Sequence, residues 1–137
     1  MKILRINHLG IAPKNADTAK NFFATMLELE SAGEETVADQ KVHVTFFQAE
    51  RSRLEILEPT EDSSPVAKFL AERGGGIQHI ALEVDDIDAW LANLKAKGVQ
   101  LIDSEPRLGA HNTRIAFIHP RSTGGILVEL TQERKGY

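Results

Sequence analysis

Two histidines occupy matching places in two halves of the sequence. Residues 6–11, INHLGI, align with residues 77–82, IQHIAL, at a shift of 71, which sets His8 over His79. A single histidine in a strand is usually a satisfied structural residue. Recurrence at matching repeat positions instead favours a shared chemical role, as a metal ligand or a proton carrier.

Two glutamates recur in the same way. Residues 54–57, LEIL, align with residues 128–131, VELT, at a shift of 74, which sets Glu55 over Glu129. Both carboxylates stand in apolar strand sequence, where an ionised group without a partner costs several kcal/mol. Each glutamate is therefore expected to be paired with a cation or bound to a metal ion.

The two recurring residue types together predict a divalent-metal site. The sequence has no cysteine, so nitrogen and oxygen are the donors left for a metal ion. The predicted ligands are His8, Glu55, His79 and Glu129. The other three histidines have no repeat partner and are predicted to be structural, on a strand face, at a loop tip and in a turn before a proline: His43, His111 and His119.

The elements that must position these residues also repeat. Each half is predicted to contain a strand, an amphipathic helix and three further strands, with candidate strands at residues 41–48 in the first half and at 99–102 and 114–119 in the second. Alternation along residues 78–84 puts three apolar side chains on a face that packs against helices, which turns His79 to the other face. The same alternation along residues 126–130 puts Ile126 on the helix-facing side of its strand. Glu129 is therefore expected on the same face of the sheet as His79.

The length of 137 residues predicts a single domain. We expect module one at about residues 1–60, a helical linker at 61–75 and module two at 76–134. Residues 104–113 form the longest irregular stretch and are predicted to be a lid or substrate loop.

Charge and hydropathy exclude several classes of function. A net charge of -4 lacks the basic excess of a general nucleic-acid binder. No apolar run reaches the roughly 20 residues that span a bilayer. Because the sequence enters a strand pattern at its start, without a targeting segment, we expect a cytoplasmic protein.

Five stretches of the sequence carry a resemblance to a known family: residues 6–12, 64–70, 76–81, 105–111 and 119–130. With them the sequence resembles the vicinal-oxygen-chelate superfamily and, within it, the methylmalonyl-CoA epimerases. The resemblance covers nearly the whole chain. It implies an α+β fold in which two tandem βαβββ modules form one open, barrel-like mixed sheet with helices on the outer face.

The resemblance also implies an activity and its cofactor. It predicts a metal-dependent epimerase that interconverts (2R)- and (2S)-methylmalonyl-CoA through proton abstraction at C2 and a metal-stabilised enediolate. The implied ion is cobalt, with manganese, zinc or nickel as alternatives, and the implied assembly is a homodimer. Glu129 is the first predicted proton carrier, because a metal-bound carboxylate can move between ligation and proton transfer, and the repeat-related Glu55 is the candidate for the opposite face. Water or His43 is a weaker option. Val44 stands where some members carry a further glutamate that is a proposed acid or base.

Substrate contacts are predicted in the loop before the last part of module two. Asn112, Thr113 and Arg114 stand where donors could orient the substrate carboxylate. The expected partner is a small acyl-CoA, with no nucleic acid and no membrane.

Three other functions fit parts of the pattern. Glyoxalase I shares the fold, the ligands and enediolate chemistry. A non-haem Fe(II) dioxygenase would use two histidines and one carboxylate, although a fourth ligand argues against it. A drug-sequestering protein is the alternative outside enzymes, and such proteins commonly lose the ligands.

Overall fold

The computed structural model describes residues 1–133, so the predicted end of module two at Arg134 lies just outside them. The chain forms eight strands and three α-helices within that range. The strands are β1 (Ile3–Ala12), β2 (Glu30–Val37), β3 (Val42–Ala49), β4 (Ser52–Pro59), β5 (Gly76–Val84), β6 (Arg107–Leu108), β7 (Arg114–Ile118) and β8 (Val128–Gln132). The helices are α1 (Ala16–Asn21), which continues into a π-helical turn at Phe22–Met26, α2 (Pro65–Arg73) and α3 (Ile87–Ala96).

Each α-helix begins at a side-chain cap. Asn15 Oδ1 accepts from the Thr18 backbone N–H at 2.9 Å before α1, and Asp86 Oδ1 accepts from that of Ala89 at 3.1 Å before α3. Ser64 caps α2, which has proline in its first turn and ends at a left-handed Gly74. These boundaries confirm the predicted start and glycine stop of the linker helix.

The chain divides into two compact units, each containing part of the sheet. One unit comprises residues His8–Gln78, in which the strand order is β2-β3-β4-β1. The other comprises Met1–Asn7 with the described residues from His79 onward, in which the order is β1-β5-β8-β7-β6. Strand β1 therefore contributes its first half to one unit and its second half to the other.

Strand register confirms the internal repeat. In the first copy β1 runs parallel to β4 with Gly10 opposite Glu55. In the second copy β5 runs parallel to β8 with Ala81 opposite Glu129. Each glutamate therefore lies beside a glycine or alanine that follows the matching histidine by two residues.

Helix α3 covers one face of its unit, as the strand pattern predicts. Val84, Leu91 and Leu130 are 1–3% exposed and belong to one apolar cluster, with Leu82 and Val128 packed against it. Burial of each such side chain contributes about 1.5–3 kcal/mol. By alternation, His79 and Glu129 face away from α3.

The second strand of module two differs from the prediction. The expected strand at 99–102 is reduced to one bridge between Leu101 and Ile118. The ladder ends there because the Phe117 N–H donates to the Asp103 carboxylate at 2.9 Å rather than to a backbone carbonyl. β6 pairs with β7 instead, inside the predicted loop.

Ile126 also departs from its predicted helix face, since it precedes β8 and is half exposed.

Strand β2 was not located by pattern. Seven of its eight residues are exposed or half-buried, so apolar alternation gives no signal there. Among the described residues, no helix is both long and apolar enough to cross a membrane.

Candidate metal centre

Three of the four predicted ligands come together. One donor atom from each of His8, His79 and Glu129 lies within 4.8 Å of the other two. The three residues are only 4–6% exposed. Donors bound about 2.1 Å from one ion are about 3–4 Å apart, and the 3.3 Å between His79 Nε2 and Glu129 Oε1 fits that geometry.

The donor set suits a divalent cation. Two imidazoles and one carboxylate are accepted by Co²⁺, Mn²⁺, Zn²⁺, Ni²⁺ and Fe²⁺. A carboxylate as buried as Glu129 also requires a positive partner, because desolvation of an ionised oxygen is costly. The group can therefore hold a metal ion without any rearrangement of strands.

Neighbouring strands hold His79 and Glu129 in place. Glu129 lies between Ala81 on β5 and Phe117 on β7. Ala81 leaves room for the carboxylate, and the Phe117 ring contacts the His79 ring edge-on with centroids 5.6 Å apart. Ala81 and Phe117 therefore flank Glu129, and Phe117 also limits the positions open to His79.

The first copy places a similar set around His8. Glu55 lies between Gly10 on β1 and Phe46 on β3. His8 Nδ1 is 3.2 Å from Glu55 Oε2, and Arg53 Nε is also 3.2 Å from that oxygen. Glu55, the fourth predicted ligand, therefore contacts His8 but is not a member of the three-residue group identified among residues 1–133.

Arg53 is a site residue that sequence reasoning missed. A signal was available, because Arg53 and Glu55 are two residues apart in a strand and so share a face. The guanidinium also lies 5.8 Å from the centre of the Phe46 ring. A cation beside a buried carboxylate is the arrangement that burial requires.

The three residues predicted to contact the substrate have different environments in the structure. Asn112 is exposed with a left-handed backbone at φ 62°, and the buried Thr113 donates its hydroxyl to the Ala110 carbonyl at 2.8 Å. Arg114 instead makes two hydrogen bonds to Asp88 on α3, at 2.8 and 3.0 Å. That pairing holds the pKa of Asp88 below its usual value and places Arg114 on the helix-covered face.

Two of the remaining histidines make the structural contacts expected of them. His43 lies on a strand face between Thr36 Oγ1 at 2.9 Å and Glu34 Oε1 at 3.0 Å. His119 Nδ1 accepts from the Arg121 N–H at 3.0 Å and caps the turn that begins at Pro120. His111 lies in the loop with a left-handed backbone at φ 56°.

Comparison with known proteins identifies the superfamily of this chain. The glyoxalase/bleomycin resistance protein/dioxygenase superfamily matches residues 7–117. The chain belongs to this superfamily. The match begins one residue before His8 and includes His79, so both histidines of the group lie within it.

Relatives in this superfamily cover nearly the whole chain. The ethylmalonyl-CoA/methylmalonyl-CoA epimerase of Cereibacter sphaeroides is 37% identical over 93% of this chain and 97% of its own length. The human mitochondrial methylmalonyl-CoA epimerase is 35% identical over 93% of this chain and 73% of its own.

A solved structure confirms the predicted fold class. Methylmalonyl-CoA epimerase of Streptomyces coelicolor, in complex with 2-nitronate-propionyl-CoA, matches 98% of this chain and 97% of its own at 34% identity, with a TM-score of 0.93. The mixed eight-stranded sheet and three helices are therefore those of this superfamily.

Proposed function

We propose that this protein is a methylmalonyl-CoA epimerase, which interconverts the (2R) and (2S) forms of its substrate. The carrying observation is the buried group of His8, His79 and Glu129. It occurs in a chain whose relatives over nearly its full length are named as epimerases of this substrate.

The reacting carbon lies between a thioester carbonyl and a carboxylate. Removal of its proton creates negative charge on oxygen, which must be stabilised within the site. A bound divalent ion would supply a Lewis acid for that charge. We propose that His8, His79 and Glu129 bind the ion, which we expect to be Co²⁺, with Mn²⁺, Zn²⁺ or Ni²⁺ as alternatives.

Epimerisation requires a proton carrier on each side of the carbon. We assign these roles to Glu129 and Glu55, which are related by the internal repeat. One glutamate, as the ionised carboxylate, accepts the C2 proton, and the other, as the protonated carboxylic acid, delivers its proton to the opposite face. No electrons are transferred, and the reverse reaction exchanges the two roles.

The remaining parts of the proposal concern binding and assembly. Asn112 and Thr113 are proposed to orient the substrate carboxylate, since both lie in the loop before β7. Arg114 is occupied by Asp88 on the helix side, so a contact between Arg114 and substrate requires that pair to break. We further propose a single-domain, cytoplasmic homodimer.

The decisive experiment compares substrates on the metal-loaded protein. Each methylmalonyl-CoA epimer is incubated in D₂O, and conversion and deuterium incorporation are followed. The glutathione hemithioacetal of methylglyoxal and oxygen uptake serve as assays for the glyoxalase and dioxygenase alternatives. Epimerisation without lactoylglutathione formation supports the proposal, whereas turnover of the hemithioacetal alone would overturn it.

The metal site has its own test with a matched control. His79→Ala removes a proposed ligand, while His119→Asn changes a histidine outside the group and keeps a side chain that can cap its turn. Metal content should fall in the first variant and stay at the parent level in the second. Full occupancy in His79→Ala would exclude the site.

A further inference from the structure

An arginine lies on the same face of the second module as two of the proposed metal ligands. In the antiparallel pairing of β6 and β7, Arg107 lies opposite Ile115. Residues directly opposite each other in such a pair share a face, and Ile115 shares its face with Phe117, two residues later. Phe117 in turn lies opposite Glu129 on β8. The register therefore places Arg107 on the face that carries Glu129.

The side chain of Arg107 reaches towards the metal group. Its guanidinium lies over the Phe117 ring, 5.7 Å from the ring centre. The same ring contacts the His79 ring, with centroids 5.6 Å apart. A cation over an aromatic face is held there by electrostatic attraction. A single phenylalanine thus separates the guanidinium from a proposed ligand.

Asp103 holds both Arg107 and Phe117. Its Oδ1 lies 3.3 Å from Arg107 Nε, and its Oδ2 accepts from the Phe117 backbone N–H at 2.9 Å. A guanidinium has five N–H donors in a planar fork, so the contact through Nε is compatible with donation from the terminal nitrogens to a second carboxylate. The Arg107 side chain is 34% exposed, which allows a bound molecule to reach it.

Arg107 is the only arginine or lysine that strand alternation puts on this face of β5 to β8, within the residues that the structure describes. Glu83 and Glu129 share the face. The two loop residues proposed to orient the substrate carboxylate, Asn112 and Thr113, have uncharged side chains. Since arginine stays charged under all ordinary conditions, Arg107 supplies this face with a permanent positive charge.

From this arrangement we propose that Arg107 is a specificity-determining residue that binds the substrate carboxylate through its guanidinium. This inference rests on the proposed function. The planar fork of a guanidinium matches the two oxygens of a carboxylate in both geometry and charge. The phosphates of CoA are separated from the reacting carbon by the whole pantetheine arm, whereas Arg107 lies one ring away from a proposed ligand. The carboxylate is therefore the anionic group that Arg107 recognises.

The test compares two acyl-CoA esters that differ in one group. Methylmalonyl-CoA carries the carboxylate, and propionyl-CoA has a hydrogen atom in its place. Binding of each ester to the Co²⁺-loaded protein is measured by calorimetry, together with KM and kcat for epimerisation. The variants are Arg107→Leu and Arg107→Lys. Arg121→Leu is the control, because it removes an exposed arginine from the turn after β7 in the same unit.

Arg107→Leu should bind methylmalonyl-CoA at least about tenfold more weakly, as expected for loss of a hydrogen bond between charged groups. Its affinity for propionyl-CoA should equal that of the parent. KM should rise with little change in kcat, because the carboxylate keeps its charge throughout the reaction. Lysine keeps the charge but not the fork, so Arg107→Lys should lie between the parent and the leucine variant. Arg121→Leu should match the parent with both esters.

A purely structural arginine would give a different result. If Arg107 only supported Phe117, the leucine variant would lose affinity for Co²⁺ and for both esters together. Co²⁺ affinity is therefore measured in every variant, and it should stay at the parent level. Its loss in Arg107→Leu would overturn the proposed contact with the carboxylate.

The other outcomes separate this inference from the proposed function. Equal losses for both esters would assign Arg107 to the CoA portion and overturn its role at the carboxylate, as would unchanged affinity for both. If Arg107→Leu does not fold, the same comparison with Arg107→Lys decides the question. A parent protein that binds methylmalonyl-CoA without interconverting its epimers would overturn the proposed function, while the difference between the two esters would still decide the role of Arg107.

Discussion

The Phe117 ring is set perpendicular to the His79 ring, with an interplanar angle of 86° and centroids 5.6 Å apart. Phe117 also lies directly opposite Glu129 in the antiparallel pairing of β7 and β8. One aromatic side chain on a neighbouring strand is thus in contact with one proposed ligand and in register with another. The Phe117 ring therefore restricts rotation of the His79 imidazole about its side-chain bonds.

Phe117→Leu should therefore weaken metal binding without abolishing it. Leucine keeps an apolar side chain but loses the edge contact with His79, so we expect a several-fold rise in the metal Kd. Loss of the ring should cost about 1–3 kcal/mol of unfolding free energy. Competition titration and denaturant unfolding measure the two effects.

The control for that variant is Phe47→Leu. Phe47 is also buried, at 2% exposure against 8% for Phe117, but its ring lies 6.0 Å from that of Phe23. The substitution should reduce stability by a similar amount and leave the metal Kd unchanged. Equal losses of affinity in both variants would mean that general loosening of the core, rather than the contact with His79, is responsible.

Glu129→Gln and Glu55→Gln should affect opposite faces of the substrate carbon. Each substitution keeps the side-chain shape and removes one proton carrier. At a metal concentration that keeps the ion bound in both variants, exchange of the C2 proton with D₂O should therefore fall by about 10²-fold or more from one epimer. The affected epimer should differ between the two variants. Normal exchange from both epimers in Glu55→Gln would remove Glu55 from the role of acid or base.

The site residues could be predicted from the sequence where they recur in the internal repeat. His8, His79 and Glu129 could be found because residue type, spacing and strand face agree in two copies, and the register of Gly10 and Ala81 beside the glutamates confirms that agreement. The four-ligand prediction treated the copies as equal. Glu55 as the fourth ligand stays a prediction, and its contact with Arg53, which has no counterpart in module two, is not visible in a symmetric alignment.

The remaining misses have local physical causes. Strand β2 lies at one end of the sheet order and is largely exposed, so its sequence is not constrained to alternate. The expected strand before residue 103 is interrupted by the Asp103 side chain, which takes the Phe117 N–H. Neither a strand without apolar alternation nor a side chain that replaces a backbone acceptor leaves a periodic signal.

The Asp88–Arg114 pair predicts a small pH-dependent contribution to stability. The hydrogen bond from Arg114 lowers the pKa of Asp88 from its ordinary value of 3.8. The pair therefore stabilises the fold above that pH, and the stabilisation is lost as the pH falls through the lower folded-state pKa. Since both side chains are largely exposed, the contribution should be below about 1 kcal/mol.

Unfolding curves of the parent and Asp88→Asn test this at several pH values. The difference should be present at neutral pH and disappear well below 3.8. Asp62→Asn, in the exposed turn before α2, should show no such difference. A gap between parent and Asp88→Asn that persists in acid would mean that the carboxylate acts through something other than its charge on Arg114.

A buried amide predicts a further stability effect outside the metal group. Asn7 is 1% exposed, and its Nδ2 donates to Glu83 Oε1 at 3.0 Å and to Glu133 Oε2 at 3.1 Å. Arg5 donates to the same two carboxylates. The amide and the guanidinium together offset two neighbouring negative charges in the unit that contains β5 and β8.

Asn7→Ala should cost about 1–3 kcal/mol of unfolding free energy, because two partly buried carboxylates lose a donor. Asn7→Asp should cost more at neutral pH, since it has nearly the same shape but adds a third carboxylate. Asn21→Ala, at the exposed end of α1, should stay within about 0.5 kcal/mol of the parent. Denaturant unfolding distinguishes these values, and an Asn7→Asp variant as stable as the parent would show that the amide donors do not carry the effect.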